Sequence, residues 1–149
     1  MPDFMELTID KFSFKVAIDR YYTAEGVWAK LEGNRVRVGI SDYLQQRSGD
    51  VAFAEMTPSG AILHAGDELA SIETIKVNLS LTSPVSGTIV EVNPELSDAP
   101  EVINQDPYNA GWLAVIEATH WDAERAALLD PTAYFVHMKA DADREAKKE

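Results

Sequence analysis

Between Arg47 and Arg125 the chain places thirteen carboxylates and a single amine, that of Lys76. The residues around it, E-L-A-S-I-E-T before and V-N-L-S-L-T after, alternate apolar and polar side chains, the period of a strand buried on one face. Lys76 therefore falls at the tip of a β-turn, where a primary amine stands on a rigid base within reach of a second molecule. Most turn lysines are ordinary solvated residues; isolation from other cations and the surrounding pattern distinguish this one. Other residues of chemical interest lack such a frame. His64, Asp67 and Ser71 have the side chains of a hydrolase triad, but no nucleophile-elbow sequence accompanies them, and a polar turn accounts for all three. His120 and His137 lack the close spacing of a metal pair and are expected on a helix face or partly buried. Trp28, Trp112 and Trp121 are expected in packing rather than around a ligand. The absence of cysteine excludes thiol catalysis, iron–sulfur ligation and disulfides.

The elements that must hold the lysine follow from the same periodicity. Phe12, Phe14, Val16 and Ile18 mark one face of a first strand, and Val36, Val38 and Ile40 one face of another. Glu32-Gly33-Asn34 supplies the turn of a hairpin whose first strand runs from Val27 to Leu31. Ser41 is the expected N-cap of a short helix that Gly49 ends. Further strands are expected over 51–56, 61–63, 68–74, 77–82, 88–92 and 112–118, separated by turns such as T-P-S-G, H-A-G-D and S-P-V-S-G. T-P-S-G-A-I-L at 57–63 echoes S-P-V-S-G-T-I-V at 83–90, which fits two equivalent turns in a sandwich of pseudo-symmetric sheets. Thr119 and Asp122 resemble a capping box opening a helix. Asp130-Pro131 reads as the N-cap and first residue of another, docking through Tyr134, Phe135 and Met138. The closing K-A-D-A-D-R-E-A-K-K-E is expected to be a solvated or fraying end. The class is all-β, a sandwich or barrel with helical appendages.

Composition narrows the partners. A chain of 149 residues fits one domain, 1–149, with enough core to need neither disulfide nor structural metal. With 46% hydrophobic and 26% charged residues it reads as soluble and globular. A formal net charge of -12 repels phosphate backbones and anionic membranes, so neither nucleic acid nor membrane is an expected partner, and basic protein surfaces are. M-P-D-F-M-E-L-T-I-D-K-F lacks the basic and apolar regions of a signal peptide, and no apolar run has the length of a membrane span. A cytoplasmic location is the default expectation.

A-G-D-E-L-A-S-I-E-T-I-K at 65–76 resembles a pattern of the glycine cleavage system H-protein family, A-G-D followed by S-[VI]-E-S-[VI]-K. V-G-I-S-D-Y at 38–43, G-D-V at 49–51, S-P-V-S-G at 83–87 and D-P-Y-N-A-G-W-L at 106–113 match in the same order. The resemblance implies a lipoyl-type barrel-sandwich hybrid of two antiparallel sheets with short helices and a C-terminal helix. It implies lipoate joined to Lys76 by an amide, and Glu73 and Gly87 as features that matter to the modifying enzyme, a lipoate–protein ligase or lipoyl transferase. The chain is then a non-catalytic carrier, its dithiolane accepting electrons or holding a group on sulfur between partner enzymes, dihydrolipoamide dehydrogenase among them.

Departures from the family pattern bear on the client. Where the family commonly shows E-H-x-W, its histidine beside the cleft that receives the loaded arm, this chain has Glu25-Gly26-Val27-Trp28. Gly26 and Trp28 are thus the cleft candidates, and the imidazole is missing. Residues 1–19 are read as an extra N-terminal strand segment and 119–149 as a C-terminal helical appendage with a solvated tail. H-like lipoate-binding proteins also serve heterodisulfide-reductase-like sulfur oxidation complexes in some bacteria. The altered cleft sets that client ahead of glycine cleavage, in which the arm carries an aminomethyl group, and Gly26→His is expected to improve glycine cleavage. A biotinyl carrier usually has methionines beside the lysine, whereas Ile75 and Val77 flank it here. The reading from another class is an acidic scaffold whose Lys76 is never modified.

Overall fold

Short strands dominate because apolar residues recur at every second position over most of the chain. In the computed structural model, which describes residues 3–147, β1 (Phe4–Ile9) and β2 (Phe12–Ala17) form an N-terminal hairpin. β3 (Tyr21–Tyr22), β4 (Val27–Glu32) and β5 (Arg35–Ile40) lead to the helix α1 (Asp42–Ser48). β6 (Val51–Met56), β7 (Ile62–Leu63), β8 (Glu68–Thr74), β9 (Asn78–Thr82) and β10 (Gly87–Val92) follow. Two four-residue helices, α2 (Glu95–Asp98) and α3 (Val102–Gln105), connect to β11 (Ala114–Ala118), then α4 (Trp121–Arg125) and α5 (Pro131–Lys147). One antiparallel sheet has the order β3-β4-β5-β11-β10-β7 and the other β6-β8-β9. No helix among the described residues is long and apolar enough to cross a membrane.

Alternation gives the sandwich two cores. Val36, Val38 and Ile40 turn inward with Leu69, Ile72, Leu81, Ile89 and Ile116 to fill the space between the sheets. The first half of β4 is buried on both faces: Val27 and Ala29 join that core, while Trp28 points into a second one with Phe14, Tyr22, Tyr134 and Met138, under the N-terminal hairpin and α5. Burying Met138 alone contributes about 1.5–3 kcal/mol to holding α5 down.

Local signals fared well. Ser41 Oγ accepts the Leu44 N–H at 3.1 Å, and Gly49, at φ 93°, ends α1. Asp130 Oδ1 accepts the Ala133 N–H at 2.8 Å ahead of Pro131. Corrections arise where distant contacts decide. The N-terminus is a hairpin, not a single strand, and its turn leaves Phe12 exposed, as is Ile18 beyond the strand end, while Phe14 and Val16 are buried. The sheets are unequal rather than pseudo-symmetric, and the echoing segments lie side by side, Gly87 opposite Leu63 and Thr88 opposite Ile62. Thr119 caps nothing: its hydroxyl lies 2.8 Å from His120 Nδ1, and His120, the N-cap of α4, makes no side-chain cap bond.

The closing segment is helical through Lys147 and mostly exposed over 139–146, held down where Ala142 is buried and Asp141 is clasped; residues 148–149 of the expected solvated or fraying end lie outside the described residues. Tyr43 Oη donates to Asp141 at 2.5 Å, Arg144 at 2.9 Å and Arg47 at 3.0 Å. Burial pushes the Asp141 carboxyl up, yet these donors outweigh it and hold the group below its ordinary value.

Candidate functional site

Lys76 occupies the apex of the β8–β9 hairpin, in the connection Ile75-Lys76-Val77. Thr74 shapes that connection. Its N–H donates to the Val77 carbonyl at 2.9 Å, and its Oγ1 accepts the N–H groups of Lys76 at 3.2 Å and Val77 at 3.0 Å. Its hydroxyl proton faces the Ser48 carbonyl at 2.6 Å, with the Val77 carbonyl a second acceptor at 2.9 Å. The Ile75 N–H donates to the Asp50 carbonyl at 3.0 Å, so the apex is tied both to itself and to the end of α1.

The lysine stem lies across Gly49. A Cβ there would come within 3.1 Å of Lys76 Cδ, so a bare backbone at φ 93° both ends α1 and leaves room for the stem. Lys76 Nζ donates to the Arg47 carbonyl at 3.4 Å. That carbonyl belongs to the last turn of α1, where unpartnered helix carbonyls favour a cation. The amine makes no ion pair among the described residues. It is therefore exposed, oriented and held by one long hydrogen bond, an arrangement that fits an acylation acceptor.

Glu73, exposed on β8, pairs in register with Asn78 of β9 and Phe53 of β6, so its carboxylate stands at the same end of the hairpin as Lys76. Around it Phe53, Ile75 and Val77 are exposed. Gly87 lies elsewhere. It opens β10 beside Leu63, toward the Glu68 end of β8, and that strand of seven residues is on the order of 20 Å long. Gly87 is buried, and a Cβ on it would fall 2.1 Å from the Glu117 carbonyl oxygen. Its glycine is demanded by the close approach of β11.

Gly26 and Trp28 form no open cleft. Trp28 is fully buried, with its indole N–H donating to the carbonyls of Ile40 at 3.0 Å and Pro107 at 3.1 Å. The Arg20 guanidinium lies 4.6 Å from the centre of its ring. Gly26, at φ 102°, faces Leu44 Cβ, Ser41 Oγ and the Tyr134 hydroxyl, all within 3.2 Å of where its Cβ would be. Tyr134, brought by α5, stands in that space, and burial pushes its phenol up to about 12.

The weaker constellations stay apart. The His64 N–H donates to Asp67 Oδ2 at 2.8 Å in an exposed turn, while Ser71 lies out along β8, so no triad assembles. His120 precedes α4 without a side-chain cap bond and His137 is exposed on α5, and no group of three or more potential metal ligands occurs among the described residues. Trp112 packs against Arg37 and Trp121 against Tyr21. Sequence reasoning missed Thr74 and read Gly49 and Tyr134 only as a helix end and a docking residue, not as the seat of the lysine stem and the occupant of the space beside Gly26. Thr74 had a local signal of its own, a hydroxyl where the family pattern has serine.

The glycine cleavage H-protein family pattern matches residues 20–141. Glycine cleavage system H protein 4 of Aquifex aeolicus is 40% identical over 131 residues, 88% of this chain and 76% of the relative. A glycine cleavage system H protein of Stenotrophomonas maltophilia is 49% identical over 108 residues, 72% of this chain and 82% of its own. The crystal structure of a glycine cleavage system H protein from Mycobacterium marinum superposes with a TM-score of 0.70 at 34% identity, over 80% of this chain and 95% of that one. The chain belongs to the glycine cleavage H-protein family, whose members carry lipoate covalently on a lysine.

Proposed function

We propose that Lys76 is the lipoyl acceptor and that the loaded chain is the carrier of a glycine cleavage system. The observation that carries the first half is the hairpin apex, where a single exposed amine is set by Thr74 and by the end of α1. After losing a proton to solvent, Lys76 Nζ forms a C–N bond to the carbonyl carbon of an activated lipoyl donor, whose leaving group departs with the electron pair of the bond it breaks, and the nitrogen gives up a second proton to leave a neutral amide. The resulting amide removes the one positive charge between Arg47 and Arg125 and makes the net charge one unit more negative than -12. When bound, lipoate supplies a dithiolane that accepts electrons as a disulfide or holds a group on sulfur as a dithiol. The chain's own part is to present and orient that group. The donor enzyme is a lipoate–protein ligase or lipoyl transferase.

The second half rests on the comparisons. The relatives are named as glycine cleavage H proteins, which favours that client over the heterodisulfide-reductase-like complex expected from Gly26. Its partners are then the glycine cleavage enzymes and dihydrolipoamide dehydrogenase. The test is reconstituted glycine–bicarbonate exchange with lipoylated chain beside a lipoylated relative. Rates within a few-fold of the relative's support the reading. Full lipoylation with exchange at background would return the sulfur oxidation client.

Glu73 has a part in loading. Its exposed carboxylate beside the amine can pair with a basic group on the modifying enzyme as the two dock. Glu73→Gln is expected to slow lipoylation about three- to tenfold at low salt without changing the melting temperature, the gap closing as salt screens the wild-type attraction. Equal low-salt rates would remove Glu73 from recognition.

A further inference from the structure

We infer that the pocket formed by Arg20, Lys30, Arg37 and the loop around Asn109 is a carboxylate-binding site. None of its lining residues belongs to α1, β8 or β9, so it is separate from the Lys76 apex. Between positions 20 and 37 the chain carries four of its 13 Lys and Arg residues against two acids, Glu25 and Glu32, in a molecule of net charge -12. Strand alternation gathers these cations. Arg37 lies between the core residues Val36 and Val38, and Lys30 follows the core residue Ala29, so both turn to the outer face of the six-stranded sheet. They are register partners on β5 and β4. Arg20 enters from the segment before β3, and Asn109 and Trp112 from the loop before β11. The pocket has a volume of about 290 Å³ and a mostly polar wall, and it suits an acid of a few heavy atoms.

Open guanidinium ends distinguish this site from a closed network of ion pairs. The Arg20 side chain is only 2% exposed. Its Nε donates to Asp19 Oδ1 at 2.7 Å and its Nη1 to the Tyr108 carbonyl at 2.8 Å, with the Trp28 ring centre 4.6 Å from the guanidinium carbon. Nη2 has no hydrogen-bond partner among the described residues. No buried side-chain nitrogen among them is left without one, so Nη2 must reach the surface of the pocket that Arg20 lines. Arg37 turns its Nε toward Glu32, at 3.1 and 3.3 Å from the two carboxylate oxygens, and its guanidinium carbon lies 4.5 Å from the centre of the Trp112 ring. The Nη1–Nη2 end of Arg37 is left without a partner among the described residues. Lys30 Nζ stands 3.5 Å from Asp19 Oδ2.

Charge and shape select the ligand. Burial pushes the Asp19 carboxyl up, yet Arg20 and Lys30 outweigh it and hold the group below its ordinary value, so Asp19 is ionised at neutral pH. Three cations against Asp19 and Glu32 leave one positive charge. That matches a monoanion. The end of a guanidinium meets a planar carboxylate through two parallel N–H···O bonds, a fit that neither chloride nor an ammonium offers. A phosphate dianion would bring a second negative charge with no cation left to meet it, in a chain already at -12. A free small acid and the C-terminus of another protein share this carboxylate chemistry.

The test is a nuclear magnetic resonance titration of isotope-labelled full-length chain at neutral pH, with sodium acetate replacing sodium chloride at constant ionic strength. The Trp112 indole N–H and the Nε–H signals of Arg20 and Arg37 are expected to shift together and saturate, with half-saturation at about 1–10 mM. Arg37→Gln and Lys30→Met alter half-buried side chains on the outer face, and each should weaken binding about tenfold at an unchanged melting temperature. Arg37→Lys keeps the charge but loses the fork, and should weaken it about fivefold. N-acetyl-dialanine separates the two sources: saturation by its free acid well below the acetate concentration assigns a protein C-terminus, and saturation no lower than acetate's assigns a small acid. Its C-terminal amide should shift nothing. Shifts that rise linearly with acetate, or that the amide reproduces, overturn the site. Saturation by inorganic phosphate at a lower concentration than by any carboxylate overturns the choice of ligand, and unchanged binding in both Arg37→Gln and Lys30→Met overturns the location. Lys76→Arg should titrate as the wild type does, so this result is independent of the lipoyl reading.

Discussion

Lys76→Arg, made in cells supplied with lipoate, is expected to emerge folded and wholly unmodified, where the wild type gains one lipoyl group. Arginine keeps the charge and can still donate to the Arg47 carbonyl, so the melting temperature should stay within the shift of an ordinary surface substitution, about ±0.5 kcal/mol. A guanidinium is never deprotonated at working pH and offers no nucleophilic amine. No other lysine should take its place. Lys30 lies within β4, 3.5 Å from Asp19, and Lys139 is on the helix α5. Lys11 is the sharpest control: it is exposed in the tight β1–β2 turn, so like Lys76 it stands at the tip of a hairpin, though a different one. It has Thr8 rather than an acid three residues before it and lacks a threonine hub like Thr74. Peptide mapping should find the group at 76 alone. Modification of Lys11, or of the variant at wild-type occupancy, would show that presentation on a turn suffices and that the local frame does not matter.

The contrast between Lys76 and its supports shows what the chain made legible. The apex follows from two alternating runs separated by a few residues, and both caps of α1 are set by Ser41 and Gly49 within the segment they end. The restraint on that apex is different in kind. Thr74 bonds the carbonyl of Ser48, 26 residues away, and Ser41 meets the hydroxyl of Tyr134, 93 residues away. No local periodicity encodes such pairings. β1 was hidden for another reason: in F-M-E-L-T-I only half-buried residues alternate with exposed ones, so its apolar face reads weakly. Gly87 is a separate case: its recognition role comes from the family resemblance, while the Glu117 carbonyl of the neighbouring strand leaves no room for a side chain there.

Gly26→His is expected to destabilise the protein by about 2–5 kcal/mol and not to raise glycine cleavage, reversing the expectation drawn from the family's E-H-x-W. Two costs combine. Gly26 sits at φ 102°, where a Cβ adds roughly 1–2 kcal/mol of backbone strain. Overpacking adds roughly 1–3 kcal/mol, since the new Cβ lies 3.1 Å from both Leu44 Cβ and Ser41 Oγ, and the ring beyond it must displace Tyr134. Tyr134 stacks on Tyr22 with centroids 4.3 Å apart, and its hydroxyl lies 2.7 Å from the Ser41 Oγ that caps α1. Loosening that cap reaches Lys76, because the far end of the same helix holds the lysine through Arg47, Ser48 and Gly49. The melting temperature should fall by about 5–15 °C, and loading should slow with it. Gly33→Ala separates the two costs: Gly33 has φ 68° but nothing within 4 Å of a Cβ, so it should lose only the strain. If Gly26→His melted like Gly33→Ala and gained exchange activity, Tyr134 would have to be an occupant that yields readily, and the family's histidine position would be open in this chain after all.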